Sequence, residues 1–160
     1  MQSICAGIYN PSMSKLSDFL AVREKQKHAA AHGTDIHAQL QHITLGDAAR
    51  GNADLIEKIQ KNPEIARFFT QSPGITIRTE VPIAGNIGGR FISRRIDRMI
   101  IGDDAIEFID YKTDAVKDAR RELYTAQLRE YAELIRAAYP GRKVSGYILW
   151  LCDWELEQVV

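Results

Sequence analysis

Two aspartates and a lysine in the middle of the sequence attract attention because of how a hairpin would place them. Asp97 lies in one predicted strand, Asp110 and Lys112 lie in the next, and the turn is centred between Asp103 and Asp104. Residues equally far from that centre face each other, so Asp97 is expected opposite Asp110. Because alternate side chains of a strand share a face, Lys112 lies on the same face as Asp110.

Facing carboxylates repel each other, and a cation between them would remove the repulsion. A hard divalent ion such as Mg2+ or Mn2+ suits two carboxylates, with water and a substrate phosphate as further ligands. Lys112 would place positive charge where an oxyanion develops and orient an attacking water. The alternative is a salt bridge with Lys112 or Arg98, the usual outcome for such acids. The acids share their face with apolar Met99 and Phe108, which favours a site.

The opposite face of this hairpin is expected to be mixed. It carries Arg98, Glu107 and Tyr111 among three isoleucines, which are Ile96, Ile100 and Ile109. The acidic face is therefore the one on which the candidate site is placed.

Residues 1–72, ahead of these strands, favour helices. Thr34 is a potential cap for a helix that carries His37, and Asp47–Gln60 has the pattern of another. Asn62-Pro63-Glu64 is typical of a helix start, with asparagine at the cap and proline at the first helical position. The sequence therefore predicts a helical N-terminal part.

Residues 73–160 are expected to contain the sheet. Alternating apolar residues predict a strand from Ile75, a turn over Gly85–Gly89, and two further antiparallel strands, Phe91–Ile101 and Ala105–Tyr111. We interpret residues 1–160 as a single α/β domain.

A helix and a last strand complete the predicted sheet region. Val144–Cys152 is almost continuously apolar, which is typical of a strand buried on both faces. The helix Leu123–Ala138 would connect it to the preceding strands, and its predicted apolar face consists of Leu123, Leu128, Tyr131, Leu134, Ile135 and Ala138. The prediction is a mixed sheet of four or five strands flanked by helices.

Composition excludes several classes of protein. The chain has 160 residues with 45% hydrophobic and 26% charged, the balance of a folded globular protein and not of a disordered or membrane protein. Cys5 and Cys152 are too few for an iron–sulfur cluster. The N-terminus shows no secretory signal, and a reduced, cytoplasmic setting is expected.

Five pieces of the sequence, in order, resemble the PD-(D/E)XK nuclease superfamily. The likeness is greatest to the RecB-type nuclease domain at the C-terminus of AddA helicase–nucleases, and it covers about Gly33–Leu151. The pieces are Gly33-Thr34-Asp35-Ile36-His37, Glu80-Val81-Pro82, Arg95-Ile96-Asp97-Arg98, Ile109-Asp110-Tyr111-Lys112-Thr113 and the helix residues Tyr124, Gln127 and Tyr131. Asp-Tyr-Lys alone would be a weak signal, whereas the ordered set is specific.

The resemblance implies a restriction-endonuclease-like core and a metal site for Mg2+ or Mn2+. The implied metal ligands are His37, Asp97, Asp110 and the backbone carbonyl of Tyr111, with Lys112 as the catalytic lysine. The alternative for His37 is an ordinary surface or hydrogen-bonded histidine.

Further residues have implied roles or depart from the family pattern. Gln127 and Tyr131 would support the site or contact DNA, although they could equally pack the helix on the sheet. Glu80 corresponds to a family acid without a settled role. Arg94 stands where the family usually has glycine, which puts access of the substrate in question.

Two basic clusters are candidate phosphate contacts. Lysines and arginines number 21, as do aspartates and glutamates, so nucleic acid would have to be bound by a local patch. Ordinary solvated surface is the alternative interpretation. The clusters are Arg90, Arg94, Arg95 and Arg98, and then Lys117, Arg120 and Arg121.

The function that the sequence predicts is a metal-dependent deoxyribonuclease, specifically an exonuclease of the DNA recombination and repair type. The alternative is a catalytically inactive module with the nuclease fold that binds DNA or assembles with other proteins. The expected partners are DNA and a helicase domain or a helicase–nuclease partner, with no membrane involved. This chain has no GxxxxGK[ST] loop that could power a helicase by itself.

Overall fold

A computed structural model describes residues 35–46 and 49–160 of the chain. The predicted cap Thr34, its neighbour Gly33 and the proposed helical segment before them lie outside the described residues. The elements are α1 (described over residues 35–40), α2 (Ala53–Gln60), α3 (Pro63–Ala66), β1 (Thr76–Ile87), β2 (Arg90–Ile101), β3 (Ala105–Lys112), α4 (Arg121–Ala138), β4 (Lys143–Trp150) and β5 (Glu155–Gln158).

The strands form one mixed sheet in the order β1-β2-β3-β4-β5. The first three make an antiparallel meander, β3 and β4 are parallel, and β5 returns antiparallel to β4. Parallel neighbours need a crossover connection, which α4 provides between β3 and β4. The predicted α/β class with a mixed sheet flanked by helices is confirmed, and the arrangement is compatible with a restriction-endonuclease-like core.

Apolar side chains are buried on both faces of the sheet. On one face, Leu40, Ile59 and Phe68 from the N-terminal helical part pack with Ile109 of β3. On the other face, the buried side of α4 packs with Phe108, the neighbour of Ile109. β3 is therefore buried on both faces. The sequence predicted burial of this kind for β4.

Asparagine caps begin the short helices. The Asn62 side chain accepts a hydrogen bond from the Glu64 N–H, and Pro63 follows it, as predicted. The Asn52 side chain likewise caps α2, so this helix begins at Ala53 and not at Asp47. The earlier start was wrong because the side-chain cap at Asn52 fixes the first turn.

The turn between β1 and β2 is shorter than predicted. β1 continues to Ile87, and Gly88 and Gly89 make the turn with φ of 56° and 79°, values that favour glycine. Gly85, which the sequence predicts in the turn, lies inside β1. A Cβ atom there would come within 2.7 Å of Leu134 Cδ2 on α4, so glycine permits the close approach of helix and strand.

The apolar face of α4 is rotated from its predicted position. Leu123 is 65% exposed and Ala138 is also exposed, so their assignment to this face was wrong. Tyr124 instead turns inward against Trp150, with ring centroids 6.0 Å apart. The buried residues are Tyr124, Leu128, Tyr131, Ala132, Leu134 and Ile135.

Candidate active site

The acidic pair lies where the β2–β3 ladder ends. The register pairs Arg98 with Ile109, as the predicted hairpin requires, and Asp97 and Asp110 are the next residues. The Asp97 carboxylate accepts a hydrogen bond of 2.6 Å from the Tyr111 N–H. The Asp97 side chain is thus the hydrogen-bond acceptor for a backbone N–H group of β3. Both acids are held at one end of the hairpin.

The pairing of β1 with β2 is interrupted at one residue of each strand, and this places Glu80 beside Asp97. The pairs Thr79↔Arg98 and Val81↔Ile96 flank these two residues, and Glu80 has φ of 53°, which is unusual for a residue with a side chain. Glu80 and Asp97 both line the same cavity.

The same interruption changes the face of Ile96. The sequence placed Ile96 on the mixed face with Arg98, but it packs in the cluster that contains Met99 and Phe108. Strict alternation predicts opposite faces for Ile96 and Met99, so the prediction was wrong because alternation is broken at Asp97.

Asp110 and Lys112 form a close ion pair at the end of β3. Asp110 is only 4% exposed. Its Oδ2 atom lies 2.5 Å from Lys112 Nζ, but this buried oxygen has no well-aligned hydrogen bond. The Lys112 ammonium therefore neutralises the charge of the Asp110 carboxylate, while its Oδ2 atom accepts no hydrogen bond.

Burial and repulsion disfavour the charged form of Asp97. Burial is the largest cause that raises the pKa of Asp97 to about 7, and the charge of Asp110 adds to it. The Tyr111 N–H and the Lys112 ammonium act in the opposite direction without overcoming it. Near neutral pH, Asp97 is thus poised to exchange a proton or to accept a cation.

His37 reaches the acids from α1. Its Nδ1 atom lies 3.9 Å from Asp97 Oδ1, and its ring packs edge-on against Tyr111 at 5.5 Å. Burial lowers the pKa of His37, although the charges of Asp110 and Glu80 oppose this shift. A neutral imidazole beside carboxylates is a potential metal ligand.

Arg98 lies buried on the other side of β2 and connects the elements that hold His37. It is 2% exposed, and its guanidinium donates to the backbone carbonyls of Leu40 at 2.6 Å and Ile43 at 3.2 Å. It also donates to the Tyr111 hydroxyl at 2.9 Å. The predicted phosphate contact by Arg98 is wrong because every nearby acceptor is internal. Its place among isoleucines in the sequence was the available signal for burial.

Helix α4 provides the other side of the Lys112 environment. Gln127 Oε1 lies 3.4 Å from Lys112 Nζ, and Gln127 Nε2 donates to the Tyr131 hydroxyl at 2.6 Å. The Lys112 ammonium lies 4.3 Å from the centre of the Tyr124 ring. Tyr124 in turn donates to Asp114 at 2.5 Å. These contacts fix the lysine at the boundary between the sheet and the helix.

A cavity of about 590 Å³ opens over this group. Asp110, which is buried, is not among the residues that line it. The main lining residues are His37, Gln41, Glu80, Arg95, Asp97, Tyr111, Lys112, Thr113, Asp114 and Tyr124. All five pieces of sequence that carry the family resemblance thus contribute to one cavity, and Gln127 of the fifth lies directly behind Lys112.

Most of the predicted phosphate-binding cations have acidic partners. Arg95 pairs with Glu80 at 3.2 Å, and Arg90 pairs with Glu130. In the second cluster, Lys117 contacts Asp153 and Glu155, Arg120 contacts Asp114, and Arg121 contacts Asp118 and Glu157. Arg94 donates to the carbonyl of Ser93, and no carboxylate of the described residues lies within ion-pair distance of it.

Asp97, Glu80 and the His37 imidazole line the cavity without forming a complete coordination sphere. Among residues 35–46 and 49–160, no three His, Cys, Asp or Glu side chains stand together as a ready metal site. The Lys112 ammonium is the cation that lies against the Asp110 carboxylate in this structure.

Known proteins similar to this chain are subunits of helicase/nucleases. No protein-family model matches it. An ATP-dependent helicase/nuclease subunit of Streptococcus agalactiae is 26% identical over 172 residues, which is 91% of this chain and 14% of that protein. The protein of the same name from Listeria welshimeri is 40% identical over 68 residues, or 36% of this chain and 5% of that protein. The chain is thus similar to a small part of these much longer proteins.

A helix that crosses a bilayer must be long and apolar. None of the helices in the described part of the chain is long and apolar enough to do so.

Proposed function

We propose that this chain is a metal-dependent nuclease domain that hydrolyses phosphodiester bonds of DNA, as an exonuclease in recombination or repair. The observation that supports it most is the group formed by Asp97, Asp110 and Lys112 at one end of a hairpin, with His37 beside Asp97. Structural residues are seldom arranged so that two acids share a buried site, because that arrangement costs stability. The similarity to helicase/nuclease proteins points the same way.

The residues around the cavity fit Mg2+ or Mn2+. The Asp110 Oδ2 atom is buried without an aligned hydrogen bond, and the pKa of Asp97 is raised to about 7 because its charge is poorly stabilised. With His37 and the Tyr111 carbonyl, these carboxylates would hold the ion. Once bound, the metal would polarise the phosphoryl oxygen and lower the pKa of water.

Lys112 would act on the phosphate and the water. In this structure its ammonium is held by Asp110, Gln127 and the Tyr124 ring, with 15% of the side chain exposed. A cation so restrained loses little conformational freedom when it contacts a phosphate oxygen. Gln127 and Tyr131 therefore support the lysine, and Glu80 adds negative charge at the rim of the cavity.

An inactive DNA-binding or assembly module is the second candidate. It is favoured by the ion pair itself, because Lys112 already neutralises Asp110 and could serve only to stabilise the fold. The two candidates differ in what a bound metal does. A nuclease requires it for turnover, whereas the module would bind DNA equally well with or without it.

A helicase is the partner that we propose for this domain. The relatives are named as helicase/nuclease proteins, and this chain corresponds to 14% of the one from Streptococcus agalactiae. A motor that feeds a strand into the cavity would raise the effective concentration of DNA there. This compensates for the weak field of a chain with 21 basic and 21 acidic residues.

The decisive experiment is cleavage of end-labelled single- and double-stranded DNA with Mg2+, Mn2+ or EDTA. We expect cleavage with either metal, none with EDTA, and loss of about two or more orders of magnitude in Asp110→Asn. Asp104→Asn, in the exposed turn of the same hairpin, is the matched control and should retain wild-type activity. Metal-independent DNA binding without cleavage would support the inactive module instead.

A further inference from the structure

A second cavity lies on the other side of Tyr124, between β2 and α4. It has a volume of about 430 Å³. Arg90 and Arg94 line it from the strand, and Leu123, Gln127 and Glu130 line it from the helix. We call it the β2–α4 groove.

The charge of this groove favours an anion. Arg90 is balanced by Glu130 across the groove. Arg94 has no carboxylate of the described chain within ion-pair distance, and its guanidinium donates only to the neighbouring Ser93 carbonyl. The remaining N–H groups of the Arg94 guanidinium thus face the groove or solvent. Such groups are the donors that recognise phosphate.

The groove also exposes an apolar side chain. Leu123 is 65% exposed, although it belongs to an amphipathic helix whose other leucines are buried. A lone exposed leucine needs no explanation by itself. Together, Arg94 and Leu123 give the groove one cationic and one apolar contact. This combination matches a ligand in which phosphates alternate with flat apolar groups.

The groove is continuous with the candidate active site. Tyr124 lines both cavities. Gln127 lines the groove, and its amide oxygen also lies 3.4 Å from Lys112 Nζ. A chain that occupies the groove would therefore pass directly to the lysine.

We propose that the β2–α4 groove binds the single-stranded segment of nucleic acid adjacent to the phosphate at Lys112. Arg94 binds a backbone phosphate, and Leu123 contacts an unstacked base. The proposal rests on the proposed function, since it extends the same substrate beyond the cavity. A duplex is disfavoured because its bases are stacked inside the helix and cannot reach Leu123, whereas a single strand presents them.

The test is binding of a labelled single-stranded oligothymidylate and of a duplex of equal length, in EDTA and again with Ca2+. Arg94→Gln should weaken single-strand binding about five- to tenfold at low salt and lower the slope of log affinity against log salt by about 0.7. Leu123→Ser should weaken it about threefold without changing the slope, because no charge is removed. Duplex binding should change less than about twofold in both variants.

Two controls match these variants in chemistry. Arg129→Gln removes an exposed arginine of the same helix that lines neither cavity, and Ile75→Ser removes an exposed apolar residue elsewhere. Both should bind as wild type. Equal binding by Arg94→Gln and Arg129→Gln, equal losses on duplex and single strand, or no single-strand binding by the wild type would each overturn the proposal.

Cleavage assays separate this proposal from the proposed function. Wild-type cleavage that Arg94→Gln leaves unchanged at subsaturating single-stranded DNA would reject the groove and keep the nuclease. Binding that depends on Arg94 in a protein that cleaves no DNA with any metal would reject the nuclease and keep the groove.

Discussion

Asp97 and Arg98 are neighbours in one strand, but the protein treats their charges in opposite ways. The Arg98 guanidinium is buried among acceptors that satisfy it, namely two carbonyls of the N-terminal helical part and the Tyr111 hydroxyl. The Asp97 carboxylate is partly buried beside a second acid, Asp110, and its pKa is raised to about 7. One side of the sheet is electrostatically complete, and the other has an excess of negative charge. The contrast identifies where the protein requires something from outside.

The largest effect on stability should follow from removing the Arg98 guanidinium, which lies on the electrostatically complete side of the sheet. Arg98→Met would leave the carbonyls of Leu40 and Ile43 and the Tyr111 hydroxyl without a buried donor. We expect the free energy of unfolding to fall by about 3–5 kcal/mol, as measured by urea denaturation. Arg78→Met, at a position of β1 outside this network, is the control and should change it by less than about 0.5 kcal/mol. A small loss in Arg98→Met would show that the guanidinium is not structural.

On the incomplete side, removal of the Lys112 charge should be visible in activity. Lys112→Gln should reduce cleavage about 100-fold, because the cation that acts on the phosphate is lost, while Mn2+ binding by calorimetry is retained. Lys143→Gln, at the exposed start of β4, should cleave normally. If Lys112→Gln instead lowered the melting temperature and left the remaining folded protein active, the Asp110–Lys112 pair would be only a salt bridge.

The excess negative charge predicts a particular pH dependence of metal-free stability. The pKa of Asp97 is raised from 3.8 to about 7 in the folded state. The stability that this group contributes to the folded protein is therefore fully present below a pH of 3.8 and is lost as the pH rises through 7. Asp97→Asn keeps an acceptor for the Tyr111 N–H. In EDTA at a pH of about 8 it should raise the free energy of unfolding by about 1–3 kcal/mol, with little effect at a pH of about 4.

Thermal melts across pH test this expectation. In mildly alkaline solution, Mn2+ should stabilise the wild type more than it stabilises Asp97→Asn, because the ion relieves the same repulsion. Equal pH profiles of wild type and variant would show that Asp97 is ionised at little cost in the folded protein.

The smallest effect is expected at the rim of the cavity. Arg95 is 68% exposed in its side chain and pairs with Glu80. Arg95→Gln should change stability by less than about 1 kcal/mol, because exposed pairs contribute little. Its single-strand affinity should fall only a few-fold at low salt and match wild type at high salt, measured by fluorescence anisotropy. A salt-independent loss would indicate a contact to a base and not to phosphate.

The sequence was most informative where pairing is local. The short turn at Asp103 and Asp104 determines the β2–β3 register, and with it the proximity of Asp97 and Asp110. The start of α3 was predictable from Asn62 and Pro63 for the same reason, since a cap depends on its own first turn.

Features that depend on distant contacts were not predictable from patterns. Alternation along β2 gave no sign that Glu80 would adopt a positive φ opposite Asp97, or that Ile96 would change faces. The acceptors of Arg98 come from segments far away in the chain, so the partners of this buried cation could not be identified from its own strand. β5 was not assigned as a strand because only four residues pair at the edge of the sheet.

The crossover by α4 has a consequence for synthesis of the protein. The β1–β2–β3 meander is complete when Lys112 has been made, but the partner edge of β3 is filled only after α4 and β4 follow. Until then a nascent chain presents an unpaired edge of β3, with Ile106 and Phe108 uncovered on the face where α4 later packs. Such an edge is prone to pair with other chains, so the rate of translation from Thr113 to Trp150 sets how long the chain is exposed to aggregation.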